Sequence, residues 1–251
     1  MTPPPDQPAA LPGDGRDPTV PQWGLGDVVG GIAVSMLLSL LVGSVILSIG
    51  GWRSSDEVPI WGLALLQVPL WSGYLGVAWW ATATKGAGPV RDLHIVSRLL
   101  DAPVGLVVGI LTQLLVLPLV YVPVFYLTGT DSDELSEPAR ELAARAGSPL
   151  SWVLFAVLVG VCAPVVEEVF YRGLFLSSLA KRGVPPVVSV LVSSAVFAVV
   201  HFQLLQFVGL FLFGLVAGAV TVRTGRLGPA IWAHIGFNLT TVAVLYLSSS
   251  T

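Results

Sequence analysis

Apolar residues fill most of this chain in blocks of about twenty, and the polar residues between the blocks are few and clustered. Blocks at 28–50, 59–82, 103–128, 150–176, 186–202, 204–222 and 229–247 each approach the ~20 residues that a helix needs to cross a hydrocarbon core. A chain in lipid must satisfy its backbone internally, and helices do so within each segment. The pattern therefore predicts an all-α, polytopic transmembrane bundle of about seven spans, forming one domain over residues 23–247.

Composition agrees. Hydrophobic residues make up 54% of the 251 and charged residues 11%, against roughly 25% charged in soluble domains. Residues 1–22 hold seven prolines and little that could build a core, so they are expected to be a disordered tail. The stretch 248–251 is expected to be a short C-terminal tail. Cys162 is the only cysteine, which excludes an internal disulfide and the Cys-rich zinc spacings. No polybasic block is present, so no nucleic-acid partner is expected.

Lys and Arg in the loops set orientation. With seven spans, Arg16, Lys85, Arg91, Arg98, Lys181, Arg182, Arg223 and Arg226 fall on one side, and Arg53, Arg140 and Arg145 on the other. This predicts a cytoplasmic N-terminus in a cell membrane. Residues 84–102 mix charges with Leu and Ile, as in a segment lying at the cytoplasmic interface. In "SEPARELAARAGSP", Ser136 is expected to cap a short extramembrane helix, with Pro138 in its first turn and Gly147 after its end. A lid and a plain connector are both open for it.

Few ionisable residues remain at membrane depth: Glu167, Glu168, Arg172, His201 and His234, with Asn238 as a polar companion. Each buried charge costs roughly 2.5–3.5 kcal/mol on insertion scales, so each calls for a partner or a use. Glu168 and Arg172 are four apart and can pair along one helix face. Glu167 is turned by ~100° and has no such partner. Phe197 shares a helix face with His201, and His234 shares one with Asn238. Two imidazoles, an amide and an unpartnered carboxylate on three helices are expected to converge on one polar cavity. Counted from the cytoplasmic helix ends at 1.5 Å per residue, Glu167 and His201 each come out ~20 Å deep, but His234 only ~8 Å above a helix start at 229.

Such a cavity suits a hydrolase without a covalent nucleophile. A carboxylate can take a proton from water, an imidazole can hold the same water, and further donors can steady an oxyanion. The same atoms also suit a divalent metal such as zinc, held by Glu167, His201 and His234. No HExxH is present. A cofactor is thus either such a metal or none.

"EEVFYRG" at 167–173, "FAVVH" at 197–201 and "HIGFN" at 234–238, in that order on separate apolar helices, resemble the EExxxR, FxxxH and HxxxN motifs of the CPBP family. That family comprises CAAX prenyl proteases and the Abi, or bacteriocin-processing, intramembrane proteases. The resemblance covers residues 150–247, the motif-bearing core. It implies that Glu167 activates water with His201, that His234 and Asn238 form the oxyanion site, and that Glu168 and Arg172 support the site. It further implies a membrane endopeptidase, metallo- or glutamate-dependent, in a bacterial membrane. The expected partners are the lipid bilayer and a peptide or a prenylated or membrane-protein substrate. Two other classes stay open: a non-catalytic immunity or scaffold protein, and an ion or proton transporter.

Overall fold

The computed structural model describes residues 21–54 and 57–249. The chain is 81% helical with no strands among the described residues. The long helices are α1 (Leu25–Gly50), α2 (Ile60–Lys85), α4 (Asp101–Thr128), α6 (Pro149–Lys181), α8 (Phe207–Thr224) and α9 (Gly228–Ser249). These six are long and apolar enough to cross a membrane, and many of their outward Leu and Val side chains are exposed, among them Leu40, Leu119 and Leu150. Three shorter helices join them: α3 (Pro89–Asp92), α5 (Ser132–Ala144) and α7 (Pro186–Val199). The all-α bundle read from the apolar pattern is the architecture observed.

Local signals explain the helix ends. The Asp27 carboxylate accepts from the backbone N–H of Gly24 at the start of α1, and Gly51, at φ +70°, closes it in the left-handed conformation that glycine adopts freely. Ser148 caps α6 by accepting from the N–H of Ser151, with Pro149 in the first turn. α5 begins earlier than its sequence implied: Asp131, not Ser136, accepts from the N–H groups of Asp133 and Glu134. Ser136 lies inside that helix, its hydroxyl donating to the Ser132 carbonyl.

The fifth expected span falls short. α7 holds 14 residues, about 21 Å at 1.5 Å each, against a core of about 30 Å. The chain turns at 200–202, where Phe202 takes a positive φ of 54°. His201 therefore sits just past α7 rather than on its face.

At the end of the bundle where α2 and α6 finish, polar groups tie the elements together. Lys85 pairs with Asp27 at 2.5 Å, and Trp23 Nε1 donates to Asp92 Oδ2 at 2.9 Å. Lys181 donates to the carbonyls of Pro21 and Trp23. Residues 21–22, assigned to the tail from composition, are thus docked here; 1–20 lie outside the described residues. At the other terminus α9 runs through Ser249, beyond the expected boundary at 247, and 250–251 lie outside the described residues.

Within the 84–102 segment, residues 93–96 dock on the start of α9, while Leu99 and Leu100 are exposed. Leu93 is buried, and the carbonyls of His94 and Val96 accept from the N–H groups of Leu227 and Gly228 at 3.0 Å each. α9 thus starts inside the protein, with Leu227 and Ala230 fully buried. Arg226 secures this start through Nε to Asp101 Oδ2 at 2.9 Å and Nη2 to Asp101 Oδ1 at 2.7 Å. α4 then packs along α9 through Gly105 and Gly109. A β-carbon at Gly109 would collide with the carbonyl oxygen of Ala233, so only glycine permits the approach.

Candidate active site

α6 carries the acidic residues, and its backbone is not regular. Two π turns, Leu158–Cys162 and Val169–Leu176, widen it on either side of Glu167 and Glu168. Such turns disturb the helical hydrogen bonding and leave carbonyls open to other donors. Asn238 Nδ2 donates to the carbonyl of Val159 in the first turn at 2.7 Å, and Ser193 Oγ to that of Tyr171 in the second at 3.1 Å. α9 and α7 are thereby clipped to α6 at the level of the site.

Glu168 is fully buried and organises a charged network. Arg172 Nη1 donates to Glu168 Oε1 at 3.1 Å, the i,i+4 pair that the spacing implied. Arg172 Nη2 reaches across to the carbonyl of Gly214 on α8 at 3.1 Å, and its guanidinium lies 4.6 Å over the Phe197 ring. A third member joins: His234 Nδ1 lies 2.8 Å from Glu168 Oε1. An ionised carboxylate only accepts, so Nδ1 carries a proton, and in the neutral imidazole Nε2 presents its lone pair.

That lone pair faces Glu167. His234 Nε2 lies 3.8 Å from Glu167 Oε2, and the Glu167 side chain keeps 19% of its surface exposed where Glu168 keeps none. The separation is too long for a direct hydrogen bond and suits a water held between the two groups. Phe213 packs 4.4 Å from the His234 ring and Phe197 5.9 Å, which fixes its plane.

The six residues singled out from the sequence are distributed unevenly. Glu167, Glu168, Arg172 and His234 share one connected site. His201 is linked to it through Phe197: its Nδ1 donates to the Phe197 carbonyl at 2.6 Å, and the rings lie 4.8 Å apart. Asn238 turns one amide N–H to Val159 and has a second N–H left. Phe197 and Phe213, which hold the imidazoles, carry no charge, and only Phe197 belongs to a motif. Tyr171 and Tyr74, whose hydroxyls meet at 2.9 Å, do not stand out among the charged residues; a phenol at the middle of an apolar span is the signal that could have found them.

The alternative use of Glu167, His201 and His234 as zinc ligands needs all three around one ion. Among the described residues no three His, Cys, Asp or Glu side chains are grouped so that they could hold one ion. Glu167 and His234 offer two donors, and the Nδ1 of His201 is engaged by the Phe197 carbonyl. The residues present therefore do not fit that ion in this conformation.

Residues 149–240 match the family model described as type II CAAX prenyl endopeptidase Rce1-like. This segment is Rce1-like. It spans α6 to most of α9, the same helices that build the site, and agrees with the CAAX-protease resemblance of the three motifs. No curated protein and no solved structure matches the chain. The similarity is confined to residues 149–240, and with six helices long and apolar enough to cross a membrane it is in keeping with an integral membrane protein.

Proposed function

We propose that this chain is an intramembrane endopeptidase in which Glu167 activates a water held against His234. The observation that carries this reading is the 3.8 Å gap between Glu167 Oε2 and Nε2 of His234, the ring nitrogen not bonded to Glu168. Both faces of that gap accept hydrogen bonds, so a water there points its two protons at the protein and a lone pair outward. Attack on a peptide carbonyl transfers one proton to Glu167, forms the C–O bond and leaves an oxyanion. The remaining N–H of Asn238, one turn along the same face of α9, supports that charge. The proton held by Glu167 then goes to the amine as the C–N bond breaks.

Glu168 and Arg172 keep the His234 tautomer and orientation. His201 is the second imidazole, suited to hold the peptide or relay a proton. On these distances the water-holding role that the resemblance gives to His201 falls to His234. The substrate class is a peptide or a prenylated or membrane-borne protein end. The setting is a bacterial cell membrane with the N-terminus cytoplasmic, as the charge count of the loops favours.

The deciding experiment offers purified full-length protein in lipid nanodiscs a panel of fluorogenic peptides, farnesylated CAAX ends and unprenylated leader peptides. Cleavage is expected for one class, with Glu167→Gln lowering the rate by about 10²–10⁴-fold, as for loss of a general base. Retained cleavage in Glu167→Gln overturns the mechanism. Binding of a peptide without cleavage by the unmodified protein favours the scaffold class instead.

A further inference from the structure

The first three long helices lie outside the Rce1-like segment, yet α2 runs beside α6 over the whole length of the site. Gln67 and Trp71 of α2 and Val159 and Ala163 of α6 line one cavity of about 280 Å³. Further along both helices, about one turn past Trp71 and two past Ala163, the hydroxyl of Tyr74 meets that of Tyr171 at 2.9 Å. On α6, Ala163, Glu167 and Tyr171 follow at intervals of four and share a face. Glu167 is thus flanked by positions that face α2, opposite the Trp71–Tyr74 stretch.

The two phenols have one proton more than their mutual bond uses. Each O–H can donate once, and the bond between them employs one of the two protons. Water outside is not the acceptor, because Tyr74 is 5% and Tyr171 1% exposed. Two charged residues neighbour Tyr171 on its own helix: Glu167, one turn before it on the same face, and Arg172, next in the chain. Arg172 has donors only, so of these two the Glu167 carboxylate is the one able to accept.

We propose that the Tyr74–Tyr171 hydroxyl pair donates its second proton, through one water, to the Glu167 carboxylate and fixes the direction in which that carboxylate faces His234. Tyr74 and Tyr171 are positioning residues, and α2 completes a site that the family segment alone leaves open on one side. The ring of Tyr74 does something separate, packing 4.4 Å from Phe170 in the core. Removing the hydroxyl leaves that packing in place.

The proposal rests on the catalytic role given to Glu167, so the test needs a readout beside cleavage. In full-length protein in nanodiscs, the infrared carboxylate band of Glu167 is assigned as the one lost in Glu167→Gln. Tyr74→Phe and Tyr171→Phe are each expected to displace that band, with the double variant matching the singles and the thermal midpoint held. Cleavage is expected to lose about 10-fold in kcat with KM unchanged, the effect of one hydrogen bond to a charged group. An unmoved Glu167 band in folded Tyr74→Phe overturns the proposal, even if Tyr171→Phe fails to fold. If the unmodified protein cleaves nothing, the protease reading fails while the infrared comparison still decides the role of the pair.

Discussion

His234 and Glu168, 66 residues apart in sequence, are joined by a 2.8 Å hydrogen bond between Nδ1 and Oε1 inside a fully enclosed part of the bundle. The same carboxylate oxygen receives Arg172. One acidic residue thereby balances a guanidinium on its own helix and sets the tautomer of an imidazole on another. The neighbouring Glu167 keeps part of its surface free and faces the other ring nitrogen. Two adjacent carboxylates thus act differently because the helix turns them apart by about 100°.

The two histidines should not be equivalent. His234 lies against both acidic residues, whereas His201 is anchored to the backbone carbonyl of Phe197. His234→Ala is expected to lower kcat by about 10³-fold or more, and His201→Ala to lose less in kcat and more in KM, with steady-state kinetics as the check. An equal kcat loss for both, with KM unchanged, would give the water to the two imidazoles jointly.

Replacing Glu168 should cost stability before it costs chemistry. Its removal leaves the Arg172 charge buried without its carboxylate, a change worth about 3–5 kcal/mol in proteins. Glu168→Ala is expected to unfold or aggregate in detergent well below the unmodified protein. Glu168→Ala combined with Arg172→Met should recover much of that loss in a thermal scan, without recovering cleavage.

These contrasts also show what could be read without the structure. The apolar spans were legible because transfer to lipid is decided residue by residue, and the Glu168–Arg172 pair because its partners lie one turn apart. The link from Glu168 to His234 joins two helices, and nothing local encodes it. Depth counting places His234 too shallow because α9 starts inside the protein, under a 93–96 segment whose docking on Leu227 and Gly228 is tertiary. The end of α7 at Val199 is hidden for a related reason. The apolar run continues through Val200 with no Gly or Pro to stop it, and only Phe202, strained at positive φ, marks the turn. The π turns of α6 have no simple sequence signal either, though they are what lets Asn238 and Ser193 reach backbone carbonyls.

Metal removal is expected to leave the reaction intact. Two donors from Glu167 and His234 are too few to retain an ion through exhaustive dialysis, since structural and catalytic zinc sites use three or four protein ligands. Cleavage measured after treatment with EDTA or 1,10-phenanthroline, against a metal-replete control, should agree within about 2-fold. Loss restored by zinc alone would require His201 to join Glu167 and His234 in a three-ligand set.

The start of α9 offers a separable test of positioning. Arg226 grips Asp101 with two bonds, of 2.7 and 2.9 Å, and so fixes where α9 begins and how deep His234 sits. Bidentate geometry is what a lysine cannot reproduce. Arg226→Lys should keep the charge yet lower kcat, while the reversed pair, Asp101→Arg with Arg226→Asp, should restore part of it.

Gly109 provides the strictest constraint on the same helix from its other side. The backbones of α4 and α9 meet there with no room for a side chain, so even one methyl group must push α9 away from α4. α9 carries His234 and Asn238, and α6 holds it through a hydrogen bond to Val159 and another to Glu168. Displacement by about 1 Å is enough to cost roughly 10²-fold in a positioned reaction. Gly109→Ala is therefore expected to leave a folded protein with little cleavage, and Gly109→Leu to fold poorly. Gly76 on α2, with open space where its β-carbon would go, is the matched control. Gly76→Ala should leave the rate and thermal midpoint unchanged, whereas similar behaviour of the two alanine variants would mean that the α4–α9 approach does not set the geometry of His234.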